Sequence, residues 1–137
     1  MQYEWDSLLE TGNPKIDAQH KQLIATLNSL LTACYNKNSR AELERTIDFL
    51  LVYTVKHFAD EEALQKEYDY PDYPRHKQLH EEFKVVAIGL AEQLQQDGYS
   101  EALTAEVHSH IGEWLVNHIK GDDLLMALYI KSKENNY

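Results

Sequence analysis

The sequence predicts an all-α protein: an up-down-up-down four-helix bundle with an N-terminal arm and a short C-terminal fifth helix. Three observations carry that prediction. Apolar residues recur every three or four positions over four long stretches, which is the spacing of one buried helix face. The connections between those stretches are short and rich in turn residues, so helices adjacent in sequence run antiparallel. No stretch alternates apolar and polar residues as a half-buried strand does.

Residues 1–16 read as an extended arm. Trp5, Leu8 and Leu9 give it something to pack with, and Thr11-Gly12-Asn13-Pro14 is a turn cluster. The bundle spans 17–121, with Asp17 as the expected N-cap of the first helix. His20, Leu23, Leu27, Leu30 or Leu31, and Cys34 then share a face. Tyr35-Asn36-Lys37-Asn38 closes that helix, and Ser39 with Glu42 reads as a capping box for the second. Its seam is Leu43, Ile47, Leu50, Thr54, His57, Glu61 and Leu64.

The stretch EYDYPDYP is a turn, and its tyrosines read as packing groups. The third helix starts near Pro74, where the missing N–H costs nothing, and carries His76, His80, Phe83, Ala87, Leu90 and Leu94 inward. Asp97-Gly98 ends it. Ser100 caps a fourth helix with Leu103, Val107, Ile111, Trp114 or Leu115, and His118 in register. Gly121 is expected to interrupt it. Residues 122–137 then form the short fifth helix, from the run LLMALYI, and a polar tail that frays. The chain, 1–137, reads as one domain with no repeat or linker.

The net charge of −10 opposes docking on nucleic acid or on anionic lipid, both of which need a basic face. No apolar run is long enough to insert in a membrane, and no leader pattern opens the sequence, so a cytoplasmic location is expected. The single cysteine, Cys34, fits a reducing compartment and reads as a small core residue.

The chemistry lies in polar residues on apolar seams. His57 and Glu61 stand four apart, as do His76 and His80, so each pair points one way from its helix. Antiparallel order brings His20, His57, Glu61, His76, His80 and His118 to one level of the bundle. A carboxylate in such a place is costly unless paired or bound to a metal. Asp123 is five residues beyond His118, about 140° away on a regular helix, so the two cannot both face inward unless the chain deviates at Gly121. Spacing alone does not prefer Asp123 over Asp122. Five imidazoles and two carboxylates exceed what one metal ion takes and suit two, iron or zinc rather than calcium or magnesium. His108 and His110 fall to either side of the His118 face and are not expected as ligands.

The pattern of a lone His in IDAQHK, then HFADE, HKQLH and WLVNHIKGDD resembles the hemerythrins, within them the single-domain bacteriohemerythrins. The resemblance covers essentially the whole chain. Its lead-in ETGNPKID has Asn-Pro where a more apolar pair is expected. It implies two non-haem iron ions bridged by Glu61, Asp123 and an oxo or hydroxo group. His76, His80 and His118 would hold one iron. His20 and His57 would hold the other, which keeps a vacant position for O2. Leu23, Phe58, Trp114, Leu115 and Ile119 would wall the O2 pocket.

The implied function is reversible O2 binding for storage, transport or scavenging, by a monomer that is not an enzyme, with a protein acceptor of O2 or electrons as an expected partner. The alternatives are O2 or redox sensing through a partner protein, and di-iron peroxide or nitric oxide chemistry. A ferritin-like oxidase is disfavoured, because that class uses Glu-x-x-His pairs.

Overall fold

The structure, a computed structural model, describes residues 3–37 and 40–134. A 3-10 turn, Ser7–Leu9, precedes three long helices: α1 (Pro14–Tyr35), α2 (Arg40–Glu67) and α3 (Tyr73–Asp97). The fourth helix is built from α4 (Glu101–Glu106), α5 (Trp114–His118) and α6 (Leu124–Glu134). Two π-helical stretches, Val107–Glu113 and Ile119–Asp123, join these three without a break. Packing runs from α1 to α2, to α3, to the fourth helix and back to α1. The predicted four-helix bundle is therefore the observed architecture, and among the described residues there is no strand.

Local chemistry fixes the helix ends, in places differently from the sequence expectation. α1 starts three residues before Asp17. Asn13 is its N-cap, accepting from Ile16 N at 3.1 Å, and Pro14 opens the first turn. The Asn-Pro pair that looked out of place is the start signal itself. Asp17 turns back instead, and its carboxylate accepts from the Thr11 and Gly12 amides at 2.9 and 3.3 Å. The arm is accordingly shorter than expected, and of its apolar residues Trp5 and Leu9 pack while Leu8 stays exposed.

Gly98, at φ +71°, ends α3, and Ser100 Oγ accepts from Leu103 N at 3.0 Å to start α4. Ser39 lies outside the described residues. The expected fifth helix is present as α6 but continues the fourth rather than standing apart. Lys131–Glu134, expected to fray, are its last turn.

The main core fills the half of the bundle away from the histidines. Leu27, Leu30, Leu31 and Cys34 of α1 meet Leu43, Ile47 and Leu50 of α2 there, with Leu90 and Leu94 of α3 and Leu103, Val107 and Ile111 of the fourth helix. Beyond the histidine layer a second cluster closes the opposite end: Ile16, Met126 and Ile130, with Leu64, Tyr68 and Tyr70 packed against it. Among the described residues no helix is long and apolar enough to cross a membrane.

Candidate metal centre

Between these two apolar regions lies a polar layer. His20 of α1, His57 and Glu61 of α2, His76 and His80 of α3, and His118 and Asp123 of the fourth helix are all 3% exposed or less. The four-residue spacing of His57/Glu61 and His76/His80 works as the sequence implies, each pair stacking up one helix face. His108 and His110 lie outside the cluster. His108 stacks on the Tyr3 ring at 5.3 Å, and His110 is exposed.

Asp123 joins the layer by a different route from the one expected. Gly121 takes no left-handed backbone angle, and a Cβ there would meet open space, so its freedom is not what turns the chain. The π-helical turn Ile119–Asp123 does so. A π turn closes its hydrogen bonds one residue later than an α turn. Residues five apart, His118 and Asp123, thereby share a face. Their side chains meet at 3.2 Å, His118 Nε2 to Asp123 Oδ1.

The two oxygens of each carboxylate face different histidines. Glu61 Oε2 lies 3.1 Å from His57 Nε2 and 3.2 Å from His20 Nε2. Its other oxygen, Oε1, lies 3.2 Å from His80 Nε2 and 3.6 Å from His76 Nε2. Asp123 divides the same way: Oδ2 is 2.9 Å from His20 Nε2, while Oδ1 is 3.1 Å from His76 Nε2 and 3.2 Å from His118 Nε2. Two groups of donor atoms result, each within 4.8 Å: His76, His80 and His118, and His20 with His57, both sharing Glu61 and Asp123.

The hydrogen-bonding pattern fits metal ions better than it fits a self-contained polar network. Glu61 Oε1, Asp123 Oδ1 and His76 Nε2 are buried and make no hydrogen bond, although each has close polar neighbours. Native interiors rarely leave such atoms unpaired. His80 Nε2 and His118 Nε2 approach to 3.1 Å. Their Nδ1 atoms face Glu62 Oε2 at 2.9 Å and Asp122 Oδ2 at 3.0 Å. Those acceptors keep the ring proton on Nδ1, so two Nε2 lone pairs point at one another. Only positive charge between them relieves that, and imidazole with carboxylate is the donor set of a transition metal.

Without metal, protons take that place. Burial lowers the His118 imidazole, but the Asp123 charge and hydrogen bonds to Asp122 and Asp123 outweigh it and lift the group to about 10. His20 is likewise lowered by burial and raised further by Asp123 and Glu61, to about 9. His76 is raised by the same two carboxylates against its burial. Burial alone would raise the Glu61 and Asp123 carboxyls. Their histidine neighbours, chiefly His57 and His20 for Glu61 and His118 for Asp123, hold both well below the usual carboxylate range. The His118 hydrogen bond, with help from Arg75, holds Asp122 at about 2.

Of the expected pocket residues, Leu23, Phe58, Leu115 and Ile119 are buried and Trp114 is half-buried. Phe58 stacks on His80 with ring centroids 3.8 Å apart, and Trp114 stacks on His118 at 4.5 Å, so these two rings brace the three-histidine group. Sequence reasoning missed the outer partners Gln19, Glu62 and Asp122. Asp122 had a signal, four residues after His118, whereas Gln19 and Glu62 are recognisable only once the helices are side by side.

Residues 11–129 match the family model described as the hemerythrin HHE cation binding domain. The chain belongs to the hemerythrin family. It is 36% identical over 135 residues to a bacteriohemerythrin of Stenotrophomonas maltophilia, covering 97% of this chain and 84% of that protein. A hemerythrin-like protein of Naegleria gruberi is 35% identical over 122 residues, covering 89% of this chain and 88% of its own. A myohemerythrin of Theromyzon tessulatum is 30% identical over 121 residues, with 88% of each chain covered. A solved structure of a leucine-to-phenylalanine mutant superimposes with a TM-score of 0.81 at 26% identity, covering 93% of this chain and 96% of the other. The expected family is thus the observed one, and its cation-binding domain spans the whole histidine layer.

Proposed function

We propose that this chain binds O2 reversibly at a non-haem di-iron centre, for storage, transport or scavenging. The observation that carries the reading is the division of the Glu61 and Asp123 oxygens between a three-histidine and a two-histidine group. That arrangement supports two metal ions with unequal ligand sets. With both carboxylates shared, the two-histidine side has one protein ligand fewer and keeps a position open to a small molecule. When bound, a di-iron pair supplies the redox equivalents for taking up O2 and giving it back.

The chain's own residues supply the reversibility. Leu23, Leu115 and Ile119 are each 1% exposed or less and offer no proton. The Gln19, Glu62 and Asp122 side chains sit on outward-facing Nδ1 atoms. They are therefore occupied as acceptors and are not aimed at a substrate position. A dry wall with no inward acid favours release over onward chemistry.

The test is to measure iron per chain and to record visible spectra while the reduced protein is cycled between O2 and vacuum. A spectral change that reverses over repeated cycles is expected. Irreversible oxidation at first contact sinks the carrier reading and favours peroxide or nitric oxide chemistry. His57→Ala should lose the two-histidine iron preferentially; retention of both irons and of O2 binding would refute the assignment. Leu115→Asn should speed autoxidation by admitting water, and an unchanged rate removes Leu115 from the pocket wall.

A further inference from the structure

Each imidazole of the layer has a second nitrogen, Nδ1, turned away from the shared carboxylates. What that atom meets differs between the two groups. On the three-histidine side, His80 and His118 meet the carboxylates of Glu62 and Asp122, while His76 Nδ1 has no partner. On the two-histidine side, His57 Nδ1 meets an amide oxygen, Gln19 Oε1, at 2.7 Å, and His20 Nδ1 has no partner. A carboxylate that accepts the Nδ1 proton makes the imidazole a stronger electron donor at Nε2. A neutral amide does this less.

The Gln19 amide is also oriented from outside. An amide can present oxygen or nitrogen, and the choice decides which nitrogen of His57 carries the proton. Gln19 Nε2 donates to Asp60 Oδ2 at 2.8 Å. A carboxylate accepts and does not donate, so the amide nitrogen must face Asp60 and the oxygen must face His57. The oxygen in turn requires the proton on His57 Nδ1. That leaves the Nε2 lone pair directed at Glu61 and the metal position, 3.1 Å from Glu61 Oε2.

We infer that Asp60 and Gln19 form a positioning pair for His57, and that the neutral amide keeps the two-histidine position the weaker of the two metal positions. The inference rests on the two-metal reading above. Asp60 selects the tautomer of a ligand that it does not touch. Gln19 leaves that ligand less electron-rich than His80 or His118. The three-histidine position therefore fills first, and the two-histidine position is the one that empties when metal is scarce.

The experiment is an anaerobic titration of the metal-free full chain with Co(II), followed by visible absorption and calorimetry. Wild type should bind in two steps of unequal affinity. Gln19→Ala should weaken the second step by about 10- to 100-fold and leave the first in place. Asp60→Asn, whose amide can either donate or accept, should also weaken only the second step. Gln19→Glu combined with Asp60→Asn keeps a hydrogen bond between the two positions but puts a carboxylate on His57, and it should tighten the second step by about 10-fold or more. Helical circular dichroism at wild-type strength shows that each variant is folded. A second step unmoved in the double variant, or both steps moved equally in the single ones, overturns the inference. Wild type that takes up fewer than two Co(II) ions overturns the two-metal reading itself, which separates the two failures.

Discussion

The same four helix seams run through two unlike regions. In one half of the bundle they present Leu27, Leu30, Leu31, Leu43, Ile47, Leu50, Leu90 and Leu94, an apolar core that needs no partner. One or two turns further along, the same faces present five histidines, a glutamate and an aspartate, equally buried. Helix periodicity sets which positions face inward in both regions. Residue type alone sets what the interior is for. The apolar half gains from burial itself, since apolar area leaves water. The histidine layer gains nothing until positive charge joins the carboxylates. Stability and function are thus segregated along the bundle axis, and each can be attacked separately.

Glu61→Ala should show the largest effect, because it removes an oxygen from both donor groups at once. Metal content should fall to less than half of wild type by elemental analysis. The metal-free fold should lose about 3–5 kcal/mol in denaturant unfolding, as the imidazoles lose a buried counter-charge. Full metal retention would break the comparison at its centre. Leu30→Ala, in the other region, should cost about 2–5 kcal/mol through the cavity it leaves. Its metal stoichiometry should not change; a loss of metal would mean that the two regions are one cooperative unit.

Acidity sharpens the contrast without mutation. In the metal-free chain His20 and His118 titrate at about 9 and about 10, above the ordinary 6.5. Their contribution to stability is complete below pH 6.5 and is lost as the pH rises through 9 to 10. Glu61 and Asp123 are shifted the other way, so their contribution is present above the ordinary carboxyl range and is lost as the pH falls. The unfolding temperature of the metal-free chain should therefore fall between pH 6.5 and 10. The loaded chain should not follow, because metal replaces those protons. Parallel curves would mean that the layer does not take up metal in place of protons.

The smallest effect is expected at Gly112, where a Cβ would stand 2.6 Å from the Tyr3 hydroxyl. Gly112→Ala should push the Tyr3 ring aside and expose the arm to limited proteolysis, with metal content kept. An arm cut no faster than in wild type would show that the ring accommodates the methyl group in place.

Much of this was legible in the sequence because it follows from a single period. The four helices, their order and six of the seven cluster positions need only the 3.6-residue repeat and antiparallel packing. Asp123 is where that reading fails, since the repeat breaks at Ile119–Asp123. Spacing does not fix the first-helix cap, for a related reason: Asn13 and Asp17 are both competent caps, and Pro14 decides between them by fixing the first turn. Gln19, Glu62 and Asp60 were not legible at all. Their roles depend on which atoms of neighbouring helices come within 3 Å, and no spacing along one helix contains that.

The π turn before Asp123 reaches beyond the histidine layer. By taking up one extra residue, the turn holds everything after it back by about 100° around the helix axis relative to an unbroken α-helix. Met126 and Ile130 come after it, and they close the end of the bundle against Ile16. Their inward phase is therefore set by the same irregularity that turns Asp123 toward His118. A one-residue deletion between His118 and Asp123 would restore an unbroken α-helix and a four-residue spacing from the histidine to the aspartate. Met126 and Ile130 would keep their inward phase, because their spacing after the aspartate is unchanged. The carboxylate and the lid of the bundle share one helical phase, so whatever turns one of them inward turns the other with it.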